Sequence, residues 1–357
     1  MGELIMFNNI YQGKKVLLTG HTGFKGSWLS LWLKKLGAEV VGFGHAPRTT
    51  PNHHFLLRPE QECVAKFYKG YDLLDYNVIA RTIKKEKPDI VFHLAAKAIV
   101  ARTFSEPKET LENNIMATIN LLEACRLNNV KGVVAITTDK VYADMNWIYG
   151  YREEGDKLEG IDPYSASKVC CEHVIQCYRK SFGLNIAVAR AGNVIGGGDW
   201  SEKRLIPDIV RAAVKGGKVI IHTPNATRPF QHVLDALYGY LLLGQKMLEG
   251  ENVSTEFNFG PTEDISVLDV LKIAKKIWPA VKWEVDATPT HPHMTYLLKL
   301  DSTRAKKILG WVPLYGIAEA IEQTMEWYKA YYQKGEVQSG ININSYETAL
   351  EDKVNGM

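Results

Sequence analysis

Val16-Leu-Leu-Thr-Gly20-His-Thr-Gly23-Phe-Lys-Gly26 places three glycines, spaced G-x-x-G-x-x-G, between a short apolar run and an amphipathic stretch. Positions without a side chain let the backbone approach a pyrophosphate. A helix opening at that point supplies unpaired N–H groups and partial positive charge. Glycines at such spacing also serve ordinary tight turns; the strand before and the helix after turn the pattern into a dinucleotide-site signal. In the helix, Leu29, Trp32, Leu33 and Leu36 fall at i, i+3, i+4 and i+7 and form one apolar stripe. Gly37 is placed to end it in a left-handed cap, and Lys34 and Lys35 suit its negative C-terminal end.

Outward from this loop, apolar runs of strand length recur at 39–43, 89–95, 132–138 and 185–190, separated by helical patterns. This alternation predicts βαβ units and a Rossmann-type, doubly wound parallel sheet of the α/β class. After Arg190 the texture changes to a Gly/Asp/Trp turn at 196–200, a Pro/Asn/Arg loop at 222–231, and shorter elements. The reading is a dinucleotide-binding domain over 1–191, with part of 233–263 returning to it. A smaller C-terminal substrate-binding domain takes 192–232 and 264–357. Helices are expected at 206–215, 267–278, 301–309 and 317–332, and a short strand at 257–259. The polar tail from Gln333 is expected to be loosely held.

The 357 residues carry 43 basic against 40 acidic side chains, a formal charge of +3, which argues against a nucleic-acid binder built on bulk positive charge. At 46% apolar and 23% charged the chain has ordinary globular composition, which excludes disorder for most of it. No apolar run approaches the ~18 residues of a membrane span, and the first residues lack the basic-then-apolar order of a secretion signal. A cytoplasmic protein with no membrane partner is expected. Five cysteines without a C-x-x-C pair fit reduced thiols better than a disulfide framework or zinc site, so no metal is assigned.

Tyr164-Ser-Ala-Ser-Lys168 opens a helical stretch after Asp162-Pro163, and four-residue spacing sets tyrosine and lysine on one face. A phenol near its usual pKa of about 10 is a poor base at neutral pH, and a neighbouring ammonium makes it a better one. Thr137-Thr138 ends another strand, where a hydroxyl is placed to hold a substrate hydroxyl. No acid stands at the end of the second strand, 41–45, so NAD against NADP stays open, with Arg48 nearby. Asp72 is a candidate for the adenine edge or a helix cap, the latter better filled by Asp75.

With the glycine loop, Thr138, Tyr164 and Lys168 in place, the sequence resembles the extended short-chain dehydrogenase/reductase family from Gly13 to about Tyr328. The resemblance implies a nicotinamide cofactor, NAD with NADP not excluded. It would lie on Gly20, Thr22, Gly23, Phe24, Lys25 and Gly26, against Asp72 and Leu73, and along Leu94, Ala95 and Ala96. It implies that Tyr164 is the base on a sugar hydroxyl, that Thr138 orients this hydroxyl, and that Lys168 lowers the phenol's pKa and holds the nicotinamide ribose. His93 reads as structural and Asn114 as a brace. A homodimer or homotetramer is expected from the family habit of pairing through the tyrosine-bearing helix.

Asp139-Lys140, directly after Thr138, resembles the acid–base pair of the nucleotide-sugar 4,6-dehydratases, with lysine where the thymidine- and guanosine-linked branches carry Glu. The segments 20–28, 150–153, 190–200, 204–208, 228–233 and 296–301 resemble the branch that acts on CDP-glucose. On this reading Asp139 protonates the departing 6-hydroxyl and Lys140 removes the C5 proton, or stays charged and stabilises the enolate. Both need pKa shifts of several units, hence burial. Asn193, Arg204 and Arg228 would bind the diphosphate of a nucleotide sugar, CDP-glucose or a relative, although either arginine also fits a structural salt bridge. The runner-up reading is a nucleotide-sugar 4-epimerase, and the third a non-catalytic dinucleotide sensor. His291 and His293, the pair His53-His54, and Cys170, Cys171 and Cys177 are set aside as metal or redox sites.

Overall fold

A computed structural model describes residues 6–57, 66–69, 72–261, 263–286 and 297–355, with 66–69 and 354–355 as backbone alone. Gly70, Tyr71, His291, His293 and Tyr296, all within stretches used above, lie outside the described residues. The strands β1 (Lys15–Thr19), β2 (Glu39–Gly44), β3 (Lys66–Lys69), β4 (Ile90–His93), β5 (Val133–Ile136) and β6 (Ile186–Ala191) belong to one sheet. Four short strands follow: β7 (Asn193–Ile195), β8 (Val219–Ile221), β9 (Thr227–Arg228) and β10 (Phe230–His232). Next comes β11 (Glu256–Phe259), which returns to the large sheet, then β12 (Ile265–Ser266) and β13 (Trp283–Val285).

The large sheet has the order β11-β6-β5-β4-β1-β2-β3, and every pairing in it is parallel. The chain leaves β1 to build one edge and returns past it to β4 to build the other. The crevice beyond the carboxyl ends of β1 and β4 is therefore the topological switch point, where α/β sheets bind ligands. Register sets these ends level, since Thr19 pairs with both Phe43 and His93, and His93 with Ala135.

Alternation along the strands feeds two cores. Leu17, Val41, Val91, Val133 and Val188 pack under α3 (Tyr76–Glu86), α5 (Pro107–Leu127) and α6 (Pro163–Phe182). Val16, Leu18 and Val134 face α1 (Phe24–Lys35) and α8 (Val233–Leu248), whose Trp28, Trp32, Leu237 and Leu241 are buried there. The short helices α2 (His53–Leu56) and α4 (Val100–Thr103) lie in the loops after β2 and β4. After β6, α7 (Leu205–Val214), α9 (Val267–Ile277), α10 (Thr303–Leu309), α11 (Ile317–Lys334) and α12 (Ser339–Asn355) accompany the pairs β10-β7, β12-β9 and β13-β8. The α1-side core continues without a break into this region through Trp311, Trp327 and Tyr346.

Predicted elements match those observed to within a few residues, and Gly37 has φ +79° as a left-handed cap requires. Strand β3 was not anticipated. The tail is a correction: it forms α12, with Ile343, Tyr346 and Leu350 buried on one face at i, i+3 and i+7. Polar partners hold it as well. Glu347 pairs with Lys35 and accepts from Trp32 Nε1 at 2.8 Å, and Ser339 Oγ lies 2.7 Å from His53 Nε2. Tyr346 Oη donates to Asp235 Oδ1 at 2.7 Å, where Leu314 N also donates at 2.6 Å.

Removing one donor from that buried carboxyl should cost about 1–3 kcal/mol, so Tyr346→Phe is expected to lower the unfolding free energy by this amount in denaturant titrations. Burial pushes the Asp235 carboxyl up to about 7, against the bond from Tyr346. The folded chain therefore holds this proton more tightly than the unfolded one. Its stabilisation is complete below the unfolded value of about 4 and is lost as pH rises through about 7. Asp235→Asn should flatten the fall in stability between about pH 4 and pH 7.

Candidate active site

The glycine loop is locked by its own backbone. Gly20 has φ +73°, and a Cβ there would come within 2.7 Å of Ala95 N; a Cβ on Gly26 would overlap the Gly20 carbonyl. Gly23 N donates to Gly20 O at 3.0 Å, and Thr22 Oγ1 donates to His45 O at 2.9 Å. No side chain caps the N-terminus of α1, and its first residues line the cavity, a position suited to an anion. That cavity has a volume of about 300 Å³. All the loop positions expected to touch a dinucleotide line it, and so do Asp72, Leu73, Leu94, Ala95 and Ala96. A tight glycine cradle with an uncapped helix end fits the pyrophosphate of NAD. Asp72 Oδ1 accepts from Leu74 N at 2.9 Å and Oδ2 lies 3.6 Å from His45 Nε2, while Asp75 caps α3.

Beside the loop, the end of β4 is braced. Buried His93 lies between Thr19 Oγ1 at 2.8 Å and Thr118 Oγ1 at 3.2 Å, and burial, with Lys168 adding to it, pushes its imidazole down to about 3. It is neutral and structural, as read. Asn114 donates to Ser167 Oγ at 2.8 Å and accepts from Lys97 N at 2.8 Å, tying α5 to α6 and to the loop after β4.

Strand β5 delivers Thr137 and Thr138 into a 3-10 turn over Asp139–Val141. Helix α6 begins at a capping box: Asp162 accepts from Tyr164 N at 2.9 Å and Ser165 N at 3.0 Å, and Ser165 Oγ accepts from Asp162 N at 3.1 Å. This start fixes Tyr164 and, one turn later, Lys168, both buried. Tyr164 stands beside Thr138. Burial pushes its phenol up to about 12; the Thr138 hydroxyl and the Arg204 charge pull it down, while Asp139 and Asp162 raise it. Thr138 Oγ1 donates to Asp139 Oδ1 at 3.1 Å, and Asp139 Oδ2 has no hydrogen-bond partner. Burial holds this carboxyl above the usual range, with Lys140, the Thr138 bond and Arg228 opposing. A protonated Asp139 is what a proton donor to a leaving hydroxyl requires.

Three expected site residues have partners of their own. Lys168 Nζ donates to Ile136 O at the end of β5, at 3.0 Å, and Arg204 is the leading cation that lowers Tyr164. Lys140 is exposed rather than buried, because the 3-10 turn carries its side chain outward while its N donates to Thr138 Oγ1 at 3.3 Å. Arg204 lines the cavity but is in an ion pair with Asp199 at 3.2 Å, the alternative its planar fork allowed. Arg228 is engaged with Thr227 O at 2.6 Å within the field of Asp139. Asn193 is half-buried at the start of β7, opposite Phe230.

The structure adds residues that sequence reading missed. Thr137 Oγ1 donates to Glu172 Oε1 at 2.7 Å, Glu172 pairs with Arg190, Arg190 Nη1 donates to Tyr142 Oη at 2.8 Å, and Tyr142 Oη donates to Asn258 Oδ1 at 2.8 Å. The signal for Glu172 was its place four residues after Lys168, one turn further along the same helix face. Lys25 is also unexpected in its reach: its Nζ lies 3.4 Å from Tyr240 Oη of α8.

Residues 16–260 match the family model described as "NAD dependent epimerase/dehydratase family". The chain is similar to the CDP-glucose 4,6-dehydratase of Salmonella typhimurium, at 41% identity covering 90% of this chain and 92% of that one. Among solved structures it is similar to the UDP-glucose 4-epimerase of Thermotoga maritima with UDP-glucose, with TM-score 0.76 and 25% identity over 88% of this chain and 98% of that one. It is similar in the same degree, over 88% and 99%, to the UDP-glucose 4-epimerase of Thermus thermophilus in complex with NAD, TM-score 0.76 and 25% identity. With its glycine cradle at the switch point and its paired tyrosine and lysine on α6, this chain belongs to the NAD dependent epimerase/dehydratase family.

Proposed function

We propose that the chain is a cytoplasmic CDP-glucose 4,6-dehydratase, converting CDP-glucose to the CDP-4-keto-6-deoxy sugar and water. The observation that carries this reading is Asp139, a buried carboxyl held toward its protonated form and hydrogen-bonded to Thr138 beside Tyr164. Epimerisation at C4 has no use for such an acid, and elimination of a 6-hydroxyl does. The 41% identity to the Salmonella enzyme supports the cytidine-linked substrate.

When bound in the cavity over Gly20 and Gly23, NAD supplies reversible hydride acceptance. Tyr164 takes the proton of the sugar 4-hydroxyl, which Thr138 orients. The phenol, at about 12 in the free chain, needs added positive charge before it can act as a base near neutrality. Lys168 supplies that charge if ligand binding draws its ammonium away from the Ile136 carbonyl. The 4-ketone acidifies C5–H, and Lys140, acting as the amine base, removes that proton. Asp139 protonates the 6-hydroxyl as water leaves, and C5 of the resulting enone regains a proton from Lys140 as the C4 hydride would be returned to C6. Arg204 and Arg228, close to the catalytic turn, hold the sugar diphosphate. Met116, Leu127 and Phe182 expose apolar surface on α5 and α6, which supports pairing of two copies as a homodimer or a dimer of dimers.

Incubated with CDP-glucose and no added reductant, the protein should yield a product lighter by one water in mass spectrometry. TDP-, UDP- and GDP-glucose should be left largely unchanged. An unchanged mass with every donor, accompanied by inversion at C4, contradicts the dehydratase and favours an epimerase. Tyr164→Phe should lower turnover by about 10²–10⁴-fold with NAD binding retained, as expected for loss of a positioned acid–base group. Lys140→Ala should abolish loss of water while leaving NAD affinity unchanged.

A further inference from the structure

Lys25 occupies the position after Phe24 in the glycine loop, half-buried where it lines the cavity, and its side chain reaches toward the catalytic cluster. Its ammonium lies 3.4 Å from Tyr240 Oη and 5.7 Å from the centre of that ring. The charged groups facing it come from three elements: Arg204 from the turn before α7, Lys168 from α6, and Asp139 from the 3-10 turn after β5. Tyr240, fully buried on α8, lies in the field of Tyr164 and Asp139. The first turn of α1 holds no acidic residue, and among the described residues no carboxylate comes within ion-pair distance of Lys25. Two cations thus crowd a third that has only a phenol and a carboxyl held toward neutrality to oppose them.

We propose that binding of a nicotinamide dinucleotide in the cavity draws a proton onto Lys25, so that the cofactor is taken up together with H⁺. The proposal rests on the dinucleotide reading of the glycine loop and adds a linked protonation to it. In the free chain, burial brings the Lys25 amine down to about 7, with Arg204 and Lys168 acting in the same direction and Asp139 against them. A pyrophosphate at the N-terminus of α1 adds negative charge beside the amine and favours its ammonium. Tyr240 accommodates both states. Its phenol, pushed up by burial, keeps its proton, so the hydroxyl donates to the neutral amine and accepts from the ammonium.

The test is calorimetric titration of the full chain, freed of bound nucleotide, with NAD at pH 6 and pH 8, each in two buffers of different ionisation heat. Most of one proton should be taken up per NAD at pH 8 and little at pH 6. NAD affinity should fall as pH rises above 7, by up to about tenfold per unit. Lys25→Arg, charged throughout, should bind NAD with no such uptake and little change between pH 7 and 8; Lys25→Met should bind weakly at both. Equal heats in the two buffers at pH 8, or the same uptake in Lys25→Arg as in the parent, would overturn the proposal while leaving the cofactor reading intact. Failure of the parent chain to bind NAD at either pH would overturn both.

Discussion

The site depends on one buried ion pair. Glu172 and Arg190 are both buried and meet between α6 and β6, where the carboxylate also accepts from Thr137 and the guanidinium also donates to Tyr142. Thr137 and Tyr142 stand on either side of the Thr138-Asp139-Lys140 segment, so the pair anchors both ends of the catalytic turn. Tyr142 extends the anchor to β11 through Asn258, whose Nδ2 donates to Tyr151 O at 2.8 Å and Asp301 O at 3.1 Å. A buried pair gains little net stability over a well-packed apolar equivalent, but loss of one partner costs about 3–5 kcal/mol because the other charge is stranded. Its value here is positional: it fixes where the hydroxyl of Thr138 and the carboxyl of Asp139 stand relative to Tyr164.

Within this frame the electrostatics are lopsided. Lys25, Lys168, Arg204 and Arg228 converge on a region whose central carboxyl, Asp139, is itself held toward its neutral form. Such an arrangement suits anions, the pyrophosphate of a dinucleotide and the diphosphate of a sugar nucleotide, more than it suits the unliganded chain. It leaves the unliganded phenol at about 12, a poor base. On the proposed mechanism ligand binding brings the Lys168 ammonium to the phenol, and catalytic competence is thereby tied to occupancy.

What the sequence made legible follows from how locally each feature is encoded. The glycine loop, the alternating strands, the helix start after Asp162-Pro163 and the tyrosine–lysine turn are set by neighbours a few residues apart, and all appear where their patterns put them. The reach of Lys25 to Tyr240 joins residues 215 positions apart and has no local signature. The exposure of Lys140 depends on the pitch of a three-residue turn, which composition does not encode. The tail read as loose because of its polar residues is held by Ile343, Tyr346 and Leu350 at helical spacing, and the partner of Tyr346, Asp235, is 111 residues away. The ion pair of Arg204 with Asp199 shows the same limit: the fork geometry was readable, the choice of partner was not.

The central claim is that Asp139 and Lys140 turn an oxidised sugar toward elimination. It is tested most directly by following hydrogen in D₂O by NMR, using CDP-glucose labelled at C4. The account predicts one solvent deuterium at C5 of the product and transfer of the C4 label to C6. A sugar recovered with no solvent deuterium at C5 and its label still at C4 would contradict it.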